Sequence, residues 1–358
     1  MNPYNQIKLF FNSSPLAFMK VIPFEKVIFD ERCESLCKYG CKNYKRKYCC
    51  PPESIKLLEV IRKRDYNWAL LAATTTPLPE SISGFKKRFL NRNKELEIQN
   101  ISTDLDLLFT KNQMDHIILS GGSCKKCQIC SKIQNKNCKK PQLKLTSMEA
   151  VGIDCQKTLS SAGFDFEMPA RNSINRCTTV LFDYDDFSSI NWKKIDSNQT
   201  FKKVDKKTIE SAGNQIQEEN SKMFESIELI PISKINQKND ICKSECEHYD
   251  KNYACPPYSE KINLNLWKNC ILWSWKQNST KKSSYNNALR MIHTSFFSLG
   301  LYFSFSVRDC FCDECSICEY GRTDYPICNY RKIMAPSMQS QGIDPSQFGK
   351  GKYGLEFV

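Results

Sequence analysis

Histidine is nearly missing from this chain, with three in 358 residues, and that scarcity removes much ordinary catalytic chemistry. No Ser/His/Asp set and no paired-carboxylate arrangement presents itself, so neither a nucleophile–base couple nor a two-carboxylate hydrolase has candidates. Long apolar runs are missing too. The longest, Met291 to Val307, contains His293 and several serines, is interrupted by Gly300 and falls short of a bilayer span. It reads as a buried helix turning into a strand, and no membrane partner is expected. The first residues, MNPYNQIKLFFNSSPLAFMK, lack the unbroken apolar core of a signal peptide because Asn12, Ser13 and Ser14 interrupt it.

Those absences decide how the abundant residue is read. Twenty cysteines would suit a secreted disulfide framework, but nothing here implies an oxidising compartment. The clustered spacings therefore read as reduced thiolates on metal in a cytoplasmic protein. Cys124, Cys127 and Cys130 form C-x2-C-x2-C with Cys138 behind it, and Cys312, Cys315 and Cys318 repeat the pattern with Cys328 behind. Three thiolates from one tight loop can converge on a single centre while a fourth closes it, as in iron–sulfur clusters and some zinc sites. Two copies make the signal strong.

Net charge is +13, from 52 Lys and Arg against 39 Asp and Glu, which could advertise nucleic acid or another anionic partner. Bound clusters change that count. A 4Fe–4S centre on four thiolates carries roughly −2 when oxidised, so two to four of them would remove about 4 to 8 units. The cations are placed accordingly: Lys42, Lys45, Arg46 and Lys47 stand among cysteines, as do Lys125, Lys126, Lys132 and Lys136. The plainer reading is a solvated lysine-rich surface.

In order, Val21 to Phe29 reads as a first strand, rich in β-branched and aromatic residues. The next stretch carries Cys33, Cys37 and Cys50, the last succeeded by Pro51 and Pro52, with Cys41 and Cys49 as extras. Ile55, Leu58 and Ile61 predict a helix, Asn67 to Thr76 a buried strand, and residues 80–113 a polar helix with Leu105, Leu107 and Leu108 on its apolar stripe. His116 to Ser120 should deliver a strand into the first cysteine loop, with Gly121 and Gly122 allowing close backbone approach. Thr146 to Glu149 matches a capping box before a helix ending at Gly163, and Cys177 begins a further strand. Residues 186–222 are polar with few apolar anchors and read as a linker.

After it the first half is replayed. Leu229 to Ile235 answers Val21 to Val27. Cys242, Cys246 and Cys255 take the places of Cys33, Cys37 and Cys50, and Cys270 opens a buried strand. Pro336-Ser-Met with Gly342-Ile-Asp344 matches Ser147-Met with Gly152-Ile-Asp154. With the Leu289 to Val307 region leading into Cys312, Cys315 and Cys318, six landmarks in one order imply a tandem duplication: a first cysteine-rich metal-binding repeat over 1–185, the linker over 186–222 and a second repeat over 223–358, packed as a pseudo-dimer. The expected fold is α/β or α+β, each repeat a small sheet with covering helices and cysteine loops.

These residues resemble a known family, the predicted metal-binding proteins of domain of unknown function 2284. Its C-x3-C, CPP, C-x2-C-x2-C and PSMEA-x-GID motifs cover about 160 residues in each half. The resemblance implies cysteine-bound metal, in iron–sulfur form, in an anaerobic or electron-transfer setting, and supplies no reaction. Two places depart from it. The first half inserts residues around Cys41 and Cys49, and Gln339 stands where Glu149 stands in the first half.

Ligand arithmetic leaves alternatives. One partition gives Cys124, Cys127, Cys130 and Cys138 one cluster and Cys312, Cys315, Cys318 and Cys328 another. In a ferredoxin-like exchange, Cys50 or Cys255 would close the C-x2-C-x2-C cluster instead. The CPP trios could hold centres with an open site, zinc staples, or a spare thiol such as Cys41, Cys49, Cys270 or Cys310. Cys155 and Cys177 read as buried thiols. His248 is a possible fourth ligand, more readily a surface residue. Gly349 to Gly354 matches GxGxxG with no helix behind it, and Cys33, Cys37 and Cys41 resemble the radical-SAM triplet with its last gap one residue too long.

The leading expectation is an iron–sulfur protein carrying two to four clusters, passing electrons to an acidic redox partner or assisting a metalloenzyme. The alternatives are a zinc-stapled, non-enzymatic binding module recruiting protein or nucleic acid, and an enzyme acting at an open cluster site.

Overall fold

The computed structural model describes residues 3–64, 66–79, 82, 84–168, 170–184, 191–193, 204–238, 241–242, 246–249, 254–256, 259, 261–276, 282–301, 303–309 and 335–358. Cys310, Cys312, Cys315, Cys318 and Cys328 lie outside these residues, so the second C-x2-C-x2-C loop has no structural account. The chain forms two compact units, residues 1–37 with 43–201 and residues 38–42 with 202–358.

The first unit is a six-stranded sheet with helices on both faces. Its strands are β1 (Phe18–Pro23), β2 (Trp68–Pro77), β3 (His116–Ser120), β4 (Thr146–Ser147), β5 (Ser173–Phe182) and β6 (Asn191–Lys193). They are ordered β4-β3-β5-β2-β1-β6, all neighbours antiparallel except β3 and β4. Alternation along β2 sends Ala69, Leu71 and Ala73 to one face and Leu70 and Ala72 to the other. Because both faces are covered, the strand reads as one apolar run rather than an alternating one.

One face is covered by α3 (Ile55–Lys63) and α5 (Cys155–Ser161), through Ile61, Leu159 and Ala162. The other is covered by α1 (Pro3–Ser13) and α4 (Gly84–Lys111), through Ile7, Phe11, Ile98, Leu105 and Phe109. The short helix α2 (Arg32–Gly40) carries Cys33 and Cys37.

The second unit repeats the frame. Strands β7 (Phe224–Pro231), β8 (Asn269–Trp275), β9 (Phe305–Arg308) and β10 (Lys352–Phe357) are ordered β7-β8-β10-β9, which is the order β1-β2-β5-β3 of the first sheet. Pro23 pairs with Trp68 and Pro231 with Asn269, so the registers superpose along the length of β1, and a β-bulge between Phe224 and Ser226 shifts β7 beyond it. Helices α6 (Lys206–Glu219) and α7 (Lys282–Ser298) cover one face, as α1 and α4 do in the first unit. Tyr39, from the 38–42 segment of this unit, lies in the core of the other face with its ring 5.3 Å from Phe305.

Three sequence expectations need correcting. The stretch 186–222 is not all linker: Ile209, Ala212 and Ile216 put an apolar stripe at helical spacing, Asp205 caps it by accepting the Thr208 N–H, and α6 results. The first strand begins at Phe18 and not Val21, because Phe18, Met19 and Lys20 pair on both sides. Nor does a capping box at Thr146 start a helix. Thr146 and Ser147 are strand, Gly152 turns the chain at φ 81°, and α5 starts after Asp154, whose carboxylate accepts the Lys157 N–H at 2.9 Å.

Candidate metal centre

The first cysteine loop leaves β3 through Gly121, whose N–H donates to the Cys177 carbonyl at 2.7 Å. A Cβ at Gly121 would sit 3.0 Å from Cys177 Sγ and 3.1 Å from its carbonyl oxygen, so a side chain there would be tightly crowded against β5. Gly122 has φ 83°, the left-handed region that favours glycine, and donates its N–H to Glu149 Oε2 at 3.3 Å. Ser147 also donates to that carboxylate oxygen.

Gln99 of α4, buried, fixes the next turn from both sides, donating to the Ser123 carbonyl at 3.0 Å and accepting the Lys125 N–H at 2.8 Å. The CPP segment is latched to the same place. Lys47 Nζ donates to the Cys124 carbonyl at 2.7 Å and to Ser123 Oγ at 3.3 Å, and Asn43 Nδ2 donates to Ser123 Oγ at 3.0 Å. Tyr48 reaches across to the Lys136 carbonyl at 2.9 Å, and Lys132 pairs with Glu53 at 2.5 Å.

These latches bring five thiols around one cavity of about 30 Å³: Cys124, Cys127, Cys130 and Cys138 from the loop, and Cys49 from the CPP segment. Lys47, Lys126, Lys140 and Lys144 share its wall. Cys49 is only 1 % exposed. Its sulfur lies 3.7 Å from Cys50 Sγ and accepts the Cys124 backbone N–H at 3.2 Å. The Cys50 thiol's hydrogen bond outweighs burial and, with the Cys124 N–H and the Lys47 charge, lowers Cys49 to about 7. Burial pushes Cys124 upward.

Cys33, Cys37 and Cys50, the other expected ligands of this half, do not line this cavity, although Cys50 lies directly behind Cys49. Cys33 and Cys37 sit one turn apart on α2, and burial, with Glu149 and Asp154 nearby, raises Cys33 well above the ordinary thiol range. Cys50 is buried, ahead of a cis Pro51–Pro52 peptide. Cys155 and Cys177 are core thiols: the Cys177 hydrogen bond and burial raise Cys155. Among the described residues no three His, Cys, Asp or Glu side chains stand close enough together to hold a metal ion as placed. The chemistry of the cavity still suits an anionic thiolate-bound centre, since soft sulfur donors line it with four cations.

In the second unit Cys255 is buried, Cys242 half-buried and Cys246 exposed. Ser259 N donates to the Cys255 carbonyl at 2.9 Å, as Ser54 N does to that of Cys50 at 3.4 Å, so the two CPP turns correspond and Ala254 occupies the place of Cys49. Cys270 is no spare ligand. It lies in the core of β8, and burial pushes it up to about 12. His248 sits 3.2 Å from exposed Glu247. Gln339, in the place of Glu149, donates to Asp309 Oδ1 at 3.3 Å, where a second carboxylate would be repelled.

A family described as predicted metal-binding protein, domain of unknown function 2284, matches residues 20–182 and 226–354. The chain belongs to this family. Its two matched segments correspond to the two repeats, and the C-x2-C-x2-C loop, the CPP turn and the Met148–Asp154 turn lie within the first. Comparison with curated proteins and with solved structures found no match. Among the described residues no helix is long and apolar enough to cross a membrane.

The sequence signal that could have placed Cys49 at this cavity is its pairing with Cys50: a doubled cysteine before the prolines in one repeat and a single one in the other.

Proposed function

We infer that the protein is an iron–sulfur protein whose first-unit cavity holds a cluster of the 4Fe–4S type and passes single electrons to or from a redox partner, or helps activate a metalloenzyme. The observation that carries this reading is five thiols and four lysines lining one cavity. Zinc staples usually pair two C-x2-C knuckles, whereas three thiols two residues apart on one loop is the iron–sulfur spacing. A bound cluster would supply one-electron redox chemistry. The chain's own residues would hold it, offset its negative charge with Lys47, Lys126, Lys140 and Lys144, and set its potential through N–H donors to sulfur.

What supports a protein partner is the loop around the cavity. Ile129, Ile133 and Leu143 are exposed there, Ile129 at 62 %, among the exposed Lys136, Lys139, Lys140 and Lys144. Apolar contacts rimmed by cations suit an acidic protein, whose docking would weaken as salt rises.

The test is anaerobic purification followed by iron and acid-labile sulfide analysis. Brown protein absorbing broadly near roughly 400 nm, with iron and sulfide in equal amounts, is expected. Colourless protein with stoichiometric zinc would favour the zinc-stapled module instead.

A further inference from the structure

The first-unit cavity offers five thiols to a centre that needs four, so one is surplus. Resting on the iron–sulfur reading above, we propose that Cys49 is the fourth ligand, completing Cys124, Cys127 and Cys130, and that Cys138 is the surplus thiol at the rim.

Three observations favour Cys49. It is buried where Cys138 is partly exposed, and a ligand sulfur removed from water exchanges less readily with solvent thiols. Its segment is already fastened to the loop, through Lys47 to the Cys124 carbonyl and Ser123 Oγ and through Asn43 to Ser123, so little ordering remains for metal binding to impose. Its sulfur accepts a backbone N–H, from Cys124 at 3.2 Å, the contact that stabilises a thiolate and tunes a cluster. Cys50 stands behind it at 3.7 Å, and the CPP thiol that lines the cavity is Cys49.

The assignment also separates the repeats. Ala254, fully buried, occupies the place of Cys49 in the second CPP turn, so the second unit cannot close a centre in this manner. Alanine there shows that the turn accommodates the smaller side chain, which makes Cys49→Ala a mild substitution for the backbone.

The experiment compares Cys49→Ala, Cys138→Ala and Cys127→Ala, prepared anaerobically as the full chain and read by metal per chain and by the EPR spectrum of the reduced protein. Cys49→Ala should lose as much metal as Cys127→Ala, while Cys138→Ala keeps the wild-type content and spectrum. If Cys49→Ala retains wild-type metal, or Cys138→Ala falls with it, the assignment is overturned. Cys49→Ser covers a failure of the alanine variant to fold. It should keep a centre with shifted EPR g-values, and an unshifted spectrum would count against ligation. If the wild type holds zinc and no sulfide, the cluster reading fails, but zinc per chain in the same three variants still decides which thiol is the ligand.

Discussion

Ala72 faces Thr178 across the first sheet, and at the same register in the second sheet Trp273 faces Gly354. The frame is shared and its filling is reversed, large against none in one unit and small against medium in the other. A Cβ on Gly354 would meet the Trp273 indole at 1.9 Å, so the glycine exists to admit the ring. The same rule holds around the metal loop. Ser120 and Gly121 lead out of β3 in the first unit, and Arg308 and Asp309 hold those places in the second, where Arg308 is buried with Nη2 donating to Asn286 at 3.0 Å. Cys49 against Ala254 and Glu149 against Gln339 complete the contrast. The two repeats share a sheet frame and differ in the residues beside it.

The sharpest way to break this comparison is to exchange the filling. Trp273→Ala should cost about 3–5 kcal/mol and Gly354→Ala about 1–3 kcal/mol, measured as loss of stability in equilibrium urea unfolding. The double variant Trp273→Ala with Gly354→Thr, which installs the first unit's pair, should recover at least about 1 kcal/mol relative to the sum of its single variants. Strict additivity would show that the two positions do not share one space.

A smaller contrast concerns the turn that both repeats keep. Asp154 is buried and caps α5, whereas Asp344 caps an exposed turn through the Ser346 N–H at 3.0 Å. Asp154→Ala should cost about 1–2 kcal/mol and Asp344→Ala distinctly less, the difference appearing in the thermal unfolding midpoints. Equal shifts would mean that burial adds nothing to the cap.

Next comes Gln339→Glu, which brings a carboxylate against Asp309, itself already raised by burial. A loss of about 1 kcal/mol at neutral pH, shrinking as the pH falls and the pair takes up a proton, is expected from urea titrations at several pH values. No loss would mean that Gln339 makes no use of its amide there.

The smallest effect is the histidine contribution. Burial alone would lower His293, but the Glu356 carboxylate, fully buried at 2.8 Å, wins and raises it; Asp106 does the same for His116. A raised histidine stabilises in full below its unfolded value, about 6.5, and loses that contribution as pH climbs through its folded value. The histidine contribution therefore declines on the alkaline side of about pH 6.5, while the lowered Cys49 thiol works in the opposite sense over the same range. His293→Gln and His116→Gln should each remove part of that decline, read as the difference in stability from wild type at each pH. An unchanged slope in both variants would refute the assignment.

Much of the frame was legible in the sequence. Ile55, Leu58 and Ile61 announced α3, the apolar run after Asn67 announced β2, and Gly300 marked where α7 gives way to the approach of β9. The duplicated Gly-Ile-Asp turn was legible for a physical reason: Gly152 and Gly342 both need positive φ, and each aspartate caps the helical turn directly after it. Gly349 to Gly354, a GxGxxG with no helix behind it, enters β10, where Gly354 makes room for Trp273.

The features that escaped depend on partners distant in the chain. The helices α1 and α6 precede matching strands, yet their apolar stripes are short and set in polar sequence, so neither stands out until a sheet face is there to cover. Cys49 looked like an extra because its neighbours at the cavity, Cys124 to Cys138, are far along the chain and are brought to it by Lys47, Asn43 and Tyr48. Spacing alone describes a loop, and the fifth thiol arrives from outside it.

The central claim is that thiolates around the first cavity hold an inorganic iron–sulfur core. Iron and acid-labile sulfide determined on anaerobically purified full-length protein test it most directly. The account predicts roughly four iron and four sulfide per chain for each cluster held, bleached on exposure to air. Protein that carries about one zinc per four cysteines, with no sulfide, would contradict it.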